Sequence, residues 1–308
     1  MARRKWSWTS LQEGRASQVI EVTNNLEKYW PLTLRQIYYQ LVAGGLIENT
    51  RSKYTLLSLL VKWMRIDERL PWDVLEDRTR TITDKRGWEN MSEFIESETE
   101  WLFNGYARCL VQGQNKYIEV WTEKDALLRI FHNVVEPYCM RAVTCRGYQS
   151  VTFIADFYTR AEQAIMRGQT PVILYFGDLD PSGVQMLEAT IETLESELGL
   201  EGVIFKRIAL LPEHIQKYNV PHDPTAIKKT DTRYKKYKDV YGDTAVELDA
   251  HHPGIIREIC ENAIRAEIDI EMFESEKEEE EIDLDVLREF RERALQAVDN
   301  IKADMFGG

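Results

Sequence analysis

The chain is poor in the residues that would staple or anchor it. Its 308 residues hold four cysteines, Cys109, Cys139, Cys145 and Cys260, and none forms a CxxC pair. That spacing spells neither a disulfide framework nor a thiolate zinc site, and the expectation is reduced thiols in a cytoplasmic protein. No apolar run approaches the roughly 20 residues of a membrane span. Met1–Trp6 is basic, but no hydrophobic segment follows it, so no secretory signal and no membrane partner are expected. A phosphate-binding GxxxxGK[ST] loop is missing, which excludes a P-loop ATPase. No internal repeat is visible.

What is present suits a folded protein of about two domains. The apolar fraction is 44%, and eight Trp and 14 Tyr argue against disorder. The net charge of −13 speaks at first against a nucleic-acid partner. Its distribution is uneven: residues 1–87 hold 15 Lys+Arg against 10 Asp+Glu, which is +5, so the remainder carries −18. Much of the excess sits in Glu274–Asp283, a charge run expected to be a solvated linker. A modestly basic N-terminal part can still meet DNA.

Two textures divide the chain. Residues 8–29 read as a helix opened by Thr9 or Ser10, and Pro31 ends it. Thr33 then caps a helix to about Ala43, before Gly44-Gly45, and a third runs from about Ser52 to Leu70. Trp72–Ile82 has the length and composition of a short β-wing, so three helices and a hairpin predict a winged-helix domain over 1–85. A helical connector covers 86–110. From Lys116 strand and helix patterns alternate: strands at 117–122, 141–145, 171–176 and 203–208, with amphipathic segments 125–135, 151–167 and 183–198 between them. That alternation predicts an α/β domain over 111–272 with a mostly parallel sheet. A helix at 253–271, the acidic linker and a last helix at 284–303 follow.

The chemistry-bearing residues lie where two strands end. Tyr117–Thr122 runs into Glu123-Lys-Asp-Ala126, and Pro171–Phe176 runs into Gly177-Asp-Leu-Asp-Pro-Ser-Gly183. Ligands of open α/β sheets bind at the carboxyl ends of strands. Carboxylates converging there repel by roughly 4 kcal/mol per pair at 4 Å and an effective dielectric of about 20. A divalent cation removes that cost, and an all-oxygen set suits Mg²⁺ or Mn²⁺. An aspartate after a strand is also a common helix N-cap. An EF-hand is excluded, because the bidentate glutamate of its twelfth position is Ala189 here.

On the second helix, Leu34, Ile37, Tyr38 and Leu41 form the core stripe. Tyr39 lies off it, one turn beyond Arg35. A guanidinium over an exposed phenol favours the phenolate, so Tyr39 reads as a candidate nucleophile. On the third helix, Thr55, Ser58, Lys62, Arg65 and Arg69 line one face, as in a helix lying in the DNA major groove, and an ordinary solvated face fits equally well. Arg78 and Arg80 of the wing join them as DNA-binding candidates. Lys228–Lys238, with Tyr234 and Tyr237 interleaved, reads as a phosphate-contacting segment or a mobile basic loop.

Arg35-Gln-Ile-Tyr-Tyr39, Glu123-Lys-Asp-Ala126, Arg146-Gly-Tyr-Gln-Ser150 and Gly177–Gly183, in this order, resemble the A subunit of type IIB DNA topoisomerase (topoisomerase VI) and the related meiotic double-strand-break transesterase. The resemblance spans roughly residues 30–270 and implies a winged helix joined to a Toprim domain. Carried over by position, it implies that Tyr39 attacks a DNA phosphodiester with help from Arg35, while Glu123, Asp178 and Asp180 hold Mg²⁺. It also implies a homodimer on double-stranded DNA. Each tyrosine would sit near the metal of the other subunit, and two staggered cuts would leave 5′-phosphotyrosyl links. The family's separate ATPase B-type subunit is a further implied partner. This chain starts almost at the winged helix, so its layout is closest to compact stand-alone mini-A proteins. Two other readings fit the same residues: a Toprim endonuclease in which water attacks, and a non-catalytic DNA-binding protein.

Overall fold

The computed structural model describes residues 6–76, 87–145, 151–220, 227 and 233–306. The chain divides into two compact units. The larger joins Met1–Thr79 to Asn115–Glu267, and the smaller joins Arg80–Gln114 to Ile268–Gly308.

The larger unit begins with three helices, α1 (Ser10–Asn25), α2 (Leu34–Ala43) and α3 (Arg51–Ile66), which pack on one another. Their starts follow from side chains that satisfy orphan amides. Thr9 and Gln12 form a capping box on α1, Thr33 and Gln36 form another on α2, and Thr50 caps α3. Inside lie Leu26, Leu32, Ile37, Leu41, Leu57, Leu60, Val61 and Met64. The third helix stops four residues before the expected Leu70, because Glu68 takes a left-handed φ of 62°. The wing expected at 72–82 starts otherwise: Trp72–Val74 is one 3₁₀ turn, and Leu75 makes a single parallel bridge to Leu32. Residues 77–82, with Arg78 and Arg80, lie outside the described residues.

The α/β part is a four-stranded, all-parallel sheet. Its strands are β1 (Lys116–Thr122), β2 (Arg141–Thr144), β3 (Thr170–Phe176) and β4 (Ile204–Ala209), in the order β2-β1-β3-β4. All four match the expected positions to within a residue or so. Helices cover both faces, which is why the central strands are almost continuously apolar. On one face α6 (Val151–Met166) brings Ile154, Phe157 and Ala161 against Trp121, Ile173 and Tyr175. On the other, α5 (Leu128–Val135) sets Phe131 against Phe176, with ring centroids 4.6 Å apart. The helices α10 (Pro253–Arg265) and α5 pack together on that side. The remaining elements are α7 (Pro181–Glu192), α8 (Pro212–Lys217) and α9 (Tyr234–Tyr241).

The smaller unit holds α4 (Met91–Trp101) and α11 (Ile270–Phe306), the latter 37 residues long. The acidic run Glu274–Asp283, expected to be a linker, is the first third of α11. Glutamate is a good helix former, and Arg108 offsets the repulsion, bonding Glu276 at 2.7 Å and Asp283 at 2.8 Å. No helix among the described residues is long and apolar enough to cross a membrane.

One buried charge sits within the central strand. Glu119 is fully buried and takes a forked bond from Arg160, at 2.6 and 3.1 Å, and a bond from Trp121 Nε1 at 2.8 Å. The Tyr117 hydroxyl donates to this carboxylate as well, at 2.5 Å, so removing it strands three donors. Glu119→Ala is expected to cost about 3 kcal/mol in urea unfolding, and a loss under 1 kcal/mol would show that water replaces the acceptor.

Candidate active site

The strand order places the acidic residues. Connections leave β1 and β3 toward opposite edges of the sheet, so the crevice between these neighbours is the switch point. Glu123 follows β1 and Asp178 follows β3, and the Glu123 amide bonds the Phe176 carbonyl at 2.9 Å. The Glu123 carboxylate in turn accepts the Asp178 amide at 3.1 Å. Asp180 caps α7, accepting the Gly183 amide at 2.6 Å. Only glycine fits at 183, since a Cβ there would lie 2.5 Å from the Asp178 carbonyl and 3.0 Å from Glu123 Oε2.

A second acidic turn joins this one. Leu179 and Val246 exchange antiparallel backbone bonds of 3.0 Å each way, and the Leu248 amide donates to Asp178 Oδ1 at 2.8 Å. This stitches Glu247-Leu-Asp249 to the Asp178 turn. The same short turn packs on α2. Arg35 bonds Glu247 at 2.6 Å and approaches Asp249 at 3.3 Å. Lys124 bonds Asp178 at 2.6 Å and lies 3.5 Å from Glu247. A continuous polar chain therefore runs from Arg35 through Glu247 and Lys124 to Asp178.

Tyr39 sits at the head of that chain. Its hydroxyl lies within electrostatic reach of both the Arg35 guanidinium and the Glu247 carboxylate. Its side chain is buried, which corrects the expectation of an exposed phenol. The helical pattern assigned Tyr39 to an outer face, but the Glu247–Asp249 turn covers that face. The expected phenolate is overturned as well. Burial, then the Glu247 and Asp249 carboxylates, raise the Tyr39 pKa well above the ordinary phenol value and outweigh Arg35. Tyr38 is buried too, with its hydroxyl 3.0 Å from the Thr50 carbonyl and 3.1 Å from Asn49, where it ties α2 to the start of α3.

The acids are short of positive charge. Burial and then Asp178 push Glu123 up to about 7. Burial holds Asp178 above the usual carboxylate range despite Lys124. Asp249 is pushed up to about 7 by burial, Lys124 and Arg35 opposing. Burial also acts to raise Glu247, but Lys124 and Arg35 outweigh it and keep this group ionised.

Glu123, Asp178 and Asp180 are hard oxygen donors, and their unbalanced charge suits a divalent cation. Among the described residues, no three acidic, histidine or cysteine side chains are arranged to hold an ion as they stand. Glu123 and Asp180 each spend one oxygen on a backbone amide, and Lys124 occupies Asp178, so the donors fit in kind while binding requires them to turn.

The third-helix face is only partly open. Arg65 stacks on Trp72 at 4.5 Å and bonds its carbonyl at 3.0 Å, while Arg69 lies 4.1 Å over Trp8 and pairs with Glu13 at 2.5 Å. Lys62 is exposed, 5.8 Å from the Trp63 ring. The Arg146–Ser150 motif lies outside the described residues.

Glu247 and Asp249 are absent from the candidates drawn from sequence. Their signal was there to read, since Glu247-Leu-Asp249 repeats the alternation of Asp178-Leu-Asp180 after the apolar pair Ala245-Val246. Comparison with protein-family models, with curated proteins and with solved structures finds no match for this chain.

Proposed function

We propose that the protein is a metal-dependent DNA-cleaving transesterase of the winged-helix and Toprim kind, with Tyr39 as nucleophile. The observation that carries this reading is the polar chain from Arg35 through Glu247 and Lys124 to Asp178 at the switch point, with the buried Tyr39 under the influence of Arg35 and Glu247 at its head. The Arg35 and Glu247 side chains are 43% and 37% exposed, so the chain meets solvent where a phosphodiester can approach.

Each residue has a role in that chemistry. Tyr39 Oη attacks phosphorus, its proton passes to the ionised Glu247, and the bond from phosphorus to the 3′ oxygen breaks. A 5′-phosphotyrosyl link forms, and the proton given up to Glu247 is passed through solvent to the 3′ oxygen, which leaves as a hydroxyl. Arg35 stabilises charge on the phenol and phosphate oxygens. Glu123, Asp178 and Asp180 would hold Mg²⁺ or Mn²⁺, which supplies charge neutralisation at the phosphate and leaving oxygens. Double-strand cleavage needs two such centres, so the active species is a homodimer on double-stranded DNA. Lys62, and Arg78 and Arg80 from the sequence, are the proposed DNA contacts, and the free thiols suit a cytoplasmic location.

Tyr39→Phe is expected to abolish the covalent protein–DNA adduct trapped by denaturation, while Tyr38→Phe retains it. Cleavage that persists in Tyr39→Phe, without an adduct, would favour the alternative in which water attacks.

The raised carboxyls set a pH dependence for the metal-free protein. A group whose pKa is raised on folding binds its proton more tightly when folded, so its stabilising effect is fully present only below the ordinary carboxyl value near 4 and is lost as pH rises from there through about 7. Asp249→Asn removes one such ionisation. With the ordinary value near 4 and the folded value about 7, the substitution is expected to raise unfolding free energy by about 4 kcal/mol at pH 8 and by under about 1 kcal/mol at pH 4. A gain independent of pH would mean that Asp249 is not the titrating group.

Tyr39 and the carboxylates belong to one compact unit of one chain. Exchanged mixtures of Tyr39→Phe and Asp178→Ala chains are therefore expected to stay inactive, since every centre keeps one defect. Single-strand nicking from mixed dimers would instead set the tyrosine against the partner's carboxylates, as the resemblance implies.

A further inference from the structure

A cleft of about 550 Å³ opens beside the carboxylates, between α7 and α9. Pro181, Val184, Tyr237, Val240 and Tyr241 give it apolar and aromatic walls, and Arg233 and Lys236 stand among them. We propose that this cleft receives one unstacked nucleotide of single-stranded DNA next to the cleaved phosphodiester, with the base against Tyr241 and its phosphate on the cations of α9. The proposal rests on the DNA-cleaving reading and adds a subsite to it.

Four observations carry it. The first is size: the volume falls within the roughly 300–1,000 Å³ of small-ligand sites, enough for a nucleotide and too little for a duplex. The second is a prepared stacking wall. Tyr237 and Tyr241 lie with ring centroids 4.9 Å apart at 33°. The Tyr237 hydroxyl is fixed between the Leu179 carbonyl at 2.9 Å and the Thr244 carbonyl at 2.7 Å. Tyr241 thus has a rigid aromatic backing, and base–aromatic stacking is worth about 1–3 kcal/mol per base.

The third is charge. Residues 233–241 hold Arg233, Lys235, Lys236 and Lys238 against Asp239, a local +3 (four minus one) in a chain of −13. Lys236 reaches across to Glu188 on α7 at 2.8 Å, and both side chains are mostly exposed, so a phosphate can take the lysine over at small cost. The fourth is position. Leu179, the anchor of Tyr237, lies between Asp178 and Asp180, and Arg233 Nη1 is 3.4 Å from Ser182 Oγ in the first turn of α7. A nucleotide held here is therefore a short step along the strand from the carboxylates. Apolar walls with cations among them match the amphipathic build of a nucleotide, a flat base carrying an anion, better than they match an acidic peptide.

The test is fluorescence anisotropy of a labelled dT10 strand with the full chain in EDTA, where binding is read apart from cleavage. The intact protein is expected to bind dT10, and a ten-base-pair duplex serves as the control that reads the proposed duplex contacts apart from the cleft. Tyr241→Ala should weaken dT10 about 10-fold, within the stacking range, while Tyr241→Phe retains it. Lys236→Gln should lower the salt slope by about 0.7, the single-strand value for one phosphate. No binding of dT10 would overturn the proposal. So would equal affinity of Tyr241→Ala, an equal loss by Tyr241→Ala for the ten-base-pair duplex, or a preference for rU10. Intact dT10 binding with no Tyr39 adduct on plasmid DNA would retain the cleft and discard the transesterase reading, so the two failures are distinguishable.

Discussion

The structure around the switch point depends on too much negative charge gathered in one buried place. Five carboxylates, from Glu123, Asp178, Asp180, Glu247 and Asp249, meet where β1 and β3 end, and among the described residues Lys124 and Arg35 are the cations that pair with them. Lys124 shows the imbalance most plainly. Burial alone would lower its pKa, yet Asp178, Asp249 and Glu247 hold its proton on. Burial, with the neighbouring carboxylates added to it, pushes Glu123 and Asp249 up to about 7. A fold that keeps such a cluster carries a standing electrostatic cost, and sites of this kind concentrate at functional centres.

That cluster also explains how the N-terminal helices are coupled to the sheet. Arg35 is the contribution of α2 to the charge balance, and Glu247 is the hub that it shares with Lys124. The Glu247–Asp249 turn is held from three sides: by the Leu179–Val246 bridge, by Asp178 accepting the Leu248 amide, and by Arg35. Tyr39 is buried as a consequence of that closure. Its hydroxyl keeps its proton while the turn stays shut, because neighbouring carboxylates and the loss of water both disfavour the phenolate.

The cleft between α7 and α9 belongs to the same economy of charge. Its cations stand in a chain that is strongly acidic overall, next to the carboxylates but paired with other partners: Lys236 with Glu188, and Lys238 with Asp243. Positive charge is thus kept available at the edge of the acidic centre, and a polyanion crossing the region would meet it before it met the carboxylates.

Much of this architecture was legible in the residues. Thr33 opens α2 because its hydroxyl and Gln36 satisfy the first amides, and the four strands announce themselves as short apolar runs between helical patterns. Even the acids at Glu123 and Asp178 follow from local order, since a strand ending in a carboxylate puts that carboxylate at the sheet's carboxyl edge. Other features were settled only by long-range packing. The pattern of α2 exposes Tyr39, but a turn more than 200 residues later, which no local period can foresee, covers it: Arg35 bonds Glu247 across a separation of 212 residues. Glu274–Asp283 reads as a solvated linker because its charges repel, and it becomes helix because Arg108 stands beside it. Local sequence determined where elements begin and which side chains they carry. Tertiary structure decided which of those side chains share a dielectric environment, and with it which carboxylates keep a proton and which tyrosine lies beneath them.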